Sequence, residues 1–96
     1  MDIYNVFMYY VYIIKNAYGK LYVGITKNPN KRLHFHNTEQ GALFTKTNSK
    51  FKIVFCEKYA TVIEARKRET QIKKWRREKK ELLIKRYGEG LPTKQS

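Results

Sequence analysis

Residues 10–37 read YVYIIKNAYGKLYVGITKNPNKRLHFHN, and the fold of the whole chain turns on this stretch. Val6 to Ile14 carries no charge and is apolar on both faces, as a central strand covered on each side would be. Asn16-Ala17-Tyr18-Gly19 supplies turn chemistry, and Leu21 to Ile25 returns as a second strand. A turn centred near residue 17 sets Tyr12 roughly opposite Tyr22. Alternate strand residues share a face, so Tyr10, Tyr12, Tyr22 and Gly24 are expected to line one side. Asn28-Pro29 then starts a helix: asparagine caps free amides, and proline at the first helical position gives up a donor that has no partner there.

That helix runs through about Asn37 and fades before Gly41, leaving a polar loop over 39–49. Lys50 to Tyr59 alternates imperfectly and reads as a third strand. Thr61 is an N-cap, with Glu64 completing a capping box, and the helix it opens reaches about Trp75. Another runs from about Glu78 to Tyr87 and ends at Gly88. Residues 89–96 show no periodicity and are expected to form a frayed tail. The order β-β-α-β-α-α predicts a small layered α+β domain over 1–88, a three-stranded antiparallel sheet flanked by helices.

Ninety-six residues suffice for one small domain. The single Cys56 excludes an internal disulfide framework and a cysteine-based zinc site, and fits a reducing, cytoplasmic setting. The uncharged run at the N-terminus lacks the basic start and cleavage site of a signal peptide. It is also far short of the ~20 residues that span a bilayer. Net charge is +13, from 21 basic and 8 acidic residues, which points to a polyanion: DNA, RNA or an anionic membrane surface. Glu64 to Arg86 alone holds eleven basic and four acidic residues. A solvated helix face accounts for part of that excess, and nucleic acid for the rest. The helices lack the broad exposed apolar face that a membrane-surface role needs.

Several polar groups fall where a core would want apolar ones. On a helical wheel Leu33 and Phe35 anchor the first helix and flank an arc containing Arg32 and His36, while His34 points to solvent. His36 alone reads as structural; with Arg32 beside it, aimed at the tyrosine face, it reads as functional. Val62, Ala65 and Ile72 form the stripe of the second helix, and Glu69 falls inside it. A carboxylate there needs a partner: an ion pair with Lys73 or Arg66, a role in acid–base chemistry, or a divalent cation such as Mg²⁺, which prefers carboxylate oxygen. A phenol has a pKa near 10, so Tyr12 could act as a base only if Arg32, a lysine and a metal lowered it. Trp75 reads either as a stacking platform or as a partly buried core residue.

Tyr10-Val11-Tyr12 followed by Tyr22-Val23-Gly24 resembles the paired tripeptides of the GIY-YIG nuclease superfamily. Arg32 and His36 follow at the family's spacing, and TVIEARKRETQIKKW, with Glu69, looks like its metal-binding helix. GALFTK and KKWRREKKELLIK are similar to the small stand-alone bacterial branch. The resemblance covers about residues 8–87. It implies a general base or water-positioning role for Tyr12, a place at the scissile phosphate for Tyr22, and charge neutralisation by Arg32. It further implies proton transfer or orientation for His36, and a single Mg²⁺ or Mn²⁺ held by Glu69. Tyr10, Gly24 and Asn37 would be structural. Tyr10 stands where the family name has glycine, and Ile25 where repair-type relatives carry lysine, a role Lys27 could take. No attached DNA-binding domain is expected.

The resulting expectation is a metal-dependent endonuclease hydrolysing phosphodiester bonds in nucleic acid, DNA ahead of RNA. Lys27, Lys46, Arg66, Lys73, Lys74, Arg76 and Arg77 are its expected nucleic-acid contacts, with no membrane partner and no small-molecule cofactor. The alternative is a nucleic-acid-binding protein on the same fold that cuts poorly or not at all.

Overall fold

A computed structural model describes residues 7–38 and 50–94. Its elements are β1 (Tyr9–Lys15), β2 (Leu21–Thr26), α1 (Pro29–Thr38), β3 (Lys52–Tyr59), α2 (Val62–Lys74) and α3 (Arg77–Gly88). The strands form one antiparallel sheet in the order β2-β1-β3, so the uncharged strand is central, as its two apolar faces require. Val11 and Ile13 point to one face and pack with Val23, Phe55, Ala65, Ile72 and Leu83 beneath α2 and α3. Tyr12 and Ile14 point to the other and pack with Phe51, Leu33 and Ile53 on the α1 side. Val11, Ile13 and Ile14 are wholly buried. At roughly 1.5–3 kcal/mol for each such side chain, this strand outweighs any surface ion pair in holding the layers together.

The hairpin register differs from expectation by two residues. Tyr12 faces Gly24, and Tyr22 faces Ile14, because the turn centres on residue 18. Asn16 sets that turn: its Oδ1 accepts from the amides of Tyr18 at 3.1 Å and Lys20 at 2.9 Å. Gly19 supplies the required left-handed backbone at φ +84°. A shift of two leaves every side chain on its expected face, so Tyr10, Tyr12, Tyr22 and Gly24 do share one side.

The imperfect alternation of β3 also has a local cause. Ile13 pairs with Phe55 and Ile14 with Ile53, which leaves Val54 as a bulge. The extra residue lets Phe55 enter one core and Ile53 the other. Both N-caps form as expected: Asn28 Oδ1 accepts from the Lys31 amide at 3.1 Å, and Thr61 Oγ1 from the Glu64 amide at 3.2 Å.

Residues 89–94, expected to fray, return along α2 and β3. Arg68 donates to the Thr93 carbonyl at 2.9 Å, Arg86 donates twice to the Pro92 carbonyl, and Lys94 donates to the Lys58 carbonyl. No described helix is long and apolar enough to cross a membrane.

Candidate active site

Tyr12 is the centre of the α1 side. Its ring lies directly across Gly24, where an added Cβ would meet the phenol oxygen at 2.6 Å and Cζ at 2.8 Å. Glycine is therefore needed for the close approach of the ring. The hydroxyl lies 3.3 Å from His36 Nε2, and the imidazole tautomer decides which of the two donates. Tyr22, across the hairpin, sets its ring 4.5 Å from the His36 ring and 6.4 Å from that of Tyr12. Tyr12 and His36 are buried and Tyr22 is 44% exposed, so the pair is enclosed with Tyr22 at its open side.

Asn37 fixes this end of α1. Its side-chain amide donates to the Phe51 carbonyl at 2.9 Å, and its Oδ1 accepts from the Phe51 amide at 2.8 Å. That bidentate bridge ties the helix to the start of β3 and holds Phe51 against His36, ring centroids 6.4 Å apart. Asparagine matches both backbone groups at once, and an aspartate would leave the carbonyl without its donor.

The surroundings of Tyr12 favour its neutral form. Burial, then the neighbouring Tyr22, push the pKa of Tyr12 well above that of an ordinary phenol; Glu69 adds to this, and Arg32 opposes it without prevailing. Without a metal, Arg32 alone does not bring the phenol down, and Tyr12 is held in its neutral form.

The helical wheel also misplaced two side chains. Phe35 was expected as a core anchor and Arg32 near the buried side, yet both are exposed. Arg32 lies over the Phe35 ring at 5.6 Å and lines an open groove with Thr26, Lys27, Asn28 and Lys31. Leu33 and His36 face inward and His34 is exposed, all as expected. Lys31, one residue before Arg32 on α1, adds a second cation to that groove.

Glu69 sits on the flank of α2, half-buried, with Oε2 3.2 Å from Lys73 Nζ. Of its two expected ion-pair partners, Lys73 is the one engaged. The centre of the stripe is Arg68, flanked by Ala65 and Ile72, and not Glu69. The Glu69 carboxylate adds to the raised pKa of Tyr12 as the smallest of its causes. No described group of three or more His, Cys, Asp and Glu could hold a metal by itself. One carboxylate suits Mg²⁺ or Mn²⁺ only where water and substrate phosphate oxygens complete the shell. On that basis Glu69 would be the residue to hold such an ion, once Lys73 is released from it.

Of the expected nucleic-acid contacts, Lys27 is exposed on the groove, 5.2 Å over the Tyr9 ring. Arg66, Lys74 and Arg76 are exposed on α2 and its C-terminal end. Arg77 is engaged elsewhere: it donates to Glu81 Oε2 at 2.8 Å and to the Gly19 carbonyl, tying the hairpin turn to α3. Lys46 lies outside the described residues. Tyr10 is buried. Cys56 is a thiol raised to about 11 by burial and by Glu57, which suits a packing role.

The family model described as the GIY-YIG catalytic domain matches residues 8–82, a span that contains Tyr12, Tyr22, Arg32, His36 and Glu69. A UPF0213 protein from Staphylococcus aureus strain Mu3 is 46% identical over 77 residues, covering 80% of this chain and 94% of the relative. The UPF0213 protein of strain Mu50 matches to the same extent. The solution NMR structure of the UPF0213 protein BH0048 from Bacillus halodurans is similar at a TM-score of 0.53 and 31% identity, covering 81% of this chain and 83% of that one.

Proposed function

The chain belongs to the GIY-YIG catalytic-domain family, with small bacterial UPF0213 proteins among its relatives, and from that premise we propose that it is a metal-dependent endonuclease acting on nucleic acid, DNA before RNA. The observation that carries this reading is the enclosed Tyr12–His36 contact at 3.3 Å, within the span that matches the catalytic-domain model. Hydrolysis of a phosphodiester needs an oriented water, a place for its proton and neutralisation of charge developing on phosphorus.

Tyr12, as a neutral phenol, orients the water by hydrogen bonding, and His36 takes the proton as the water attacks. Tyr22, exposed beside them, borders the scissile phosphate. Arg32 on the open rim neutralises its non-bridging oxygens, and Lys27 and Lys31 extend that positive track along the groove. A divalent ion on Glu69 would supply Lewis-acid stabilisation of the leaving oxygen.

The Glu69–Lys73 pair favours the second reading, a nucleic-acid-binding protein that cuts poorly, because a lysine already satisfies the carboxylate. Incubation with plasmid, single-stranded and branched oligonucleotides, with Mg²⁺ or Mn²⁺ and then with chelator, separates the two. Metal-dependent cleavage supports the nuclease. Salt-sensitive binding with no cleavage of any substrate supports the second.

A further inference from the structure

Away from Tyr12, a cleft opens between α2, α3 and the returning tail. It measures about 370 Å³, within the range of roughly 300–1,000 Å³ typical of small-ligand sites. Trp75, Leu83 and Pro92 give it apolar surface, and Lys79, Arg86 and Lys94 stand around it. Arg68 also reaches the cleft, but its charge is taken up by Glu57. The other three cations have no carboxylate partner among the described residues. Lys79 Nζ rests 4.4 Å over the Trp75 ring, Arg86 is held by the Pro92 carbonyl at 2.8 Å, and Lys94 lies 4.1 Å over the Tyr59 ring. An indole and apolar walls beneath three unanswered positive charges ask for an anion that also has a flat apolar face.

We propose that this cleft binds one nucleotide unit of single-stranded nucleic acid, its base against Trp75 and its phosphate on Lys79 and Arg86. Entry of the base moves the Lys79 ammonium off the ring and onto the phosphate. That exchanges a weak exposed cation–π contact for a charge-assisted hydrogen bond. An acidic peptide answers the charges but offers the indole nothing flat, whereas a nucleotide answers both. The tail thus forms one wall of a binding site. None of the groups belongs to the Tyr12 site, so the inference stands apart from cleavage.

Trp75 is the only tryptophan in the chain, so its fluorescence reports occupancy directly. The whole protein is titrated with a short oligothymidylate at low salt. We expect a saturable change in emission whose affinity falls steeply as salt rises. In Lys79→Ala, which removes only a contact to a ring, the affinity should fall about tenfold and the salt slope should drop by roughly one. Polyglutamate and uncharged thymidine should each bind far more weakly than the oligonucleotide. The inference is overturned if emission stays constant while anisotropy shows the oligonucleotide bound, or if Lys79→Ala binds unchanged. Equal binding of polyglutamate would reassign the cleft to an acidic protein partner and overturn it too. A protein that shows the response and cuts nothing would defeat the nuclease reading and leave this one standing.

Discussion

The phenol of Tyr12 and the imidazole of His36, twenty-four residues apart in sequence, meet at 3.3 Å in an enclosed pocket, and neither reaches the other through its own element. β1 carries the first and α1 the second, and Asn37 holds the two elements in place through both backbone groups of Phe51. Tyr12→Phe keeps the ring and removes the hydroxyl. We expect cleavage to fall by ~100-fold or more while stability changes by about 1 kcal/mol. A cleavage time course beside a urea unfolding curve measures both; unchanged cleavage would remove Tyr12 from the chemistry.

Gly24→Ala inserts a methyl group where Tyr12 already lies, at 2.6 Å from its oxygen. The expected loss is about 1–3 kcal/mol, with activity falling alongside as the ring is displaced. In a Tyr12→Ala background the clash is gone, so the same substitution should be close to neutral. Additive losses in the double variant would show that the two residues are not in contact.

Tyr12 titrates above the ordinary phenol value of 10.0, because burial and its neighbours disfavour the charged form. The cleavage rate should therefore show no rise with a midpoint near that value. A pH–rate profile with such a rise, absent in Tyr12→Phe, would make Tyr12 the base itself.

Glu57 and Arg68 form a buried pair at 2.9 Å, joined by Tyr59 and Gln71. Burial alone would raise the Glu57 carboxyl, but hydrogen bonds from Arg68, Thr93 and Tyr59 overcome it and hold the group below its ordinary 4.5. With the folded value lowered, its stabilisation is present above that ordinary value and is lost as pH falls through the folded one. Arg68→Ala should remove about 3–5 kcal/mol and reverse the sign. Burial then dominates, the carboxyl is raised, and stability declines as pH rises through the new value. Urea unfolding of both proteins from acid to neutral pH reads the two slopes; parallel slopes would exclude the pair as a pH-linked element.

Local rules made much of this legible. The caps at Asn28 and Thr61, and the face shared by Tyr12, Tyr22 and Gly24, depend on near neighbours and on the strand period of two, which survives a register shift of two. What escaped the sequence depends on packing between distant elements. Leu33 and Phe35 both read as anchors of α1, and only packing against β1 and Phe51 decides that Leu33 goes inward while Phe35 stays exposed. Arg68 has the same composition signal as the exposed Arg66 and Lys67. Its place between Ala65 and Ile72 was readable as part of the buried stripe, but its partner Glu57 lies on another element. An ordinary phenol is already neutral at neutral pH; that Arg32 alone would not lower Tyr12 could not be read, because burial, which only the folded chain fixes, outweighs that cation.

In the proposed mechanism Glu69 would join a metal to the chemistry, and one measurement bears on both. Phosphodiester cleavage by the unmodified chain and by Glu69→Ala should be compared over a range of Mg²⁺ and Mn²⁺ concentrations, with circular dichroism to show that both are folded. The unmodified protein should cut only with metal, and the variant should lose at least ~100-fold in rate. Equal cleavage by the two folded proteins, or cleavage that persists in chelator, would contradict a metal-dependent nuclease centred on Tyr12, His36 and Glu69.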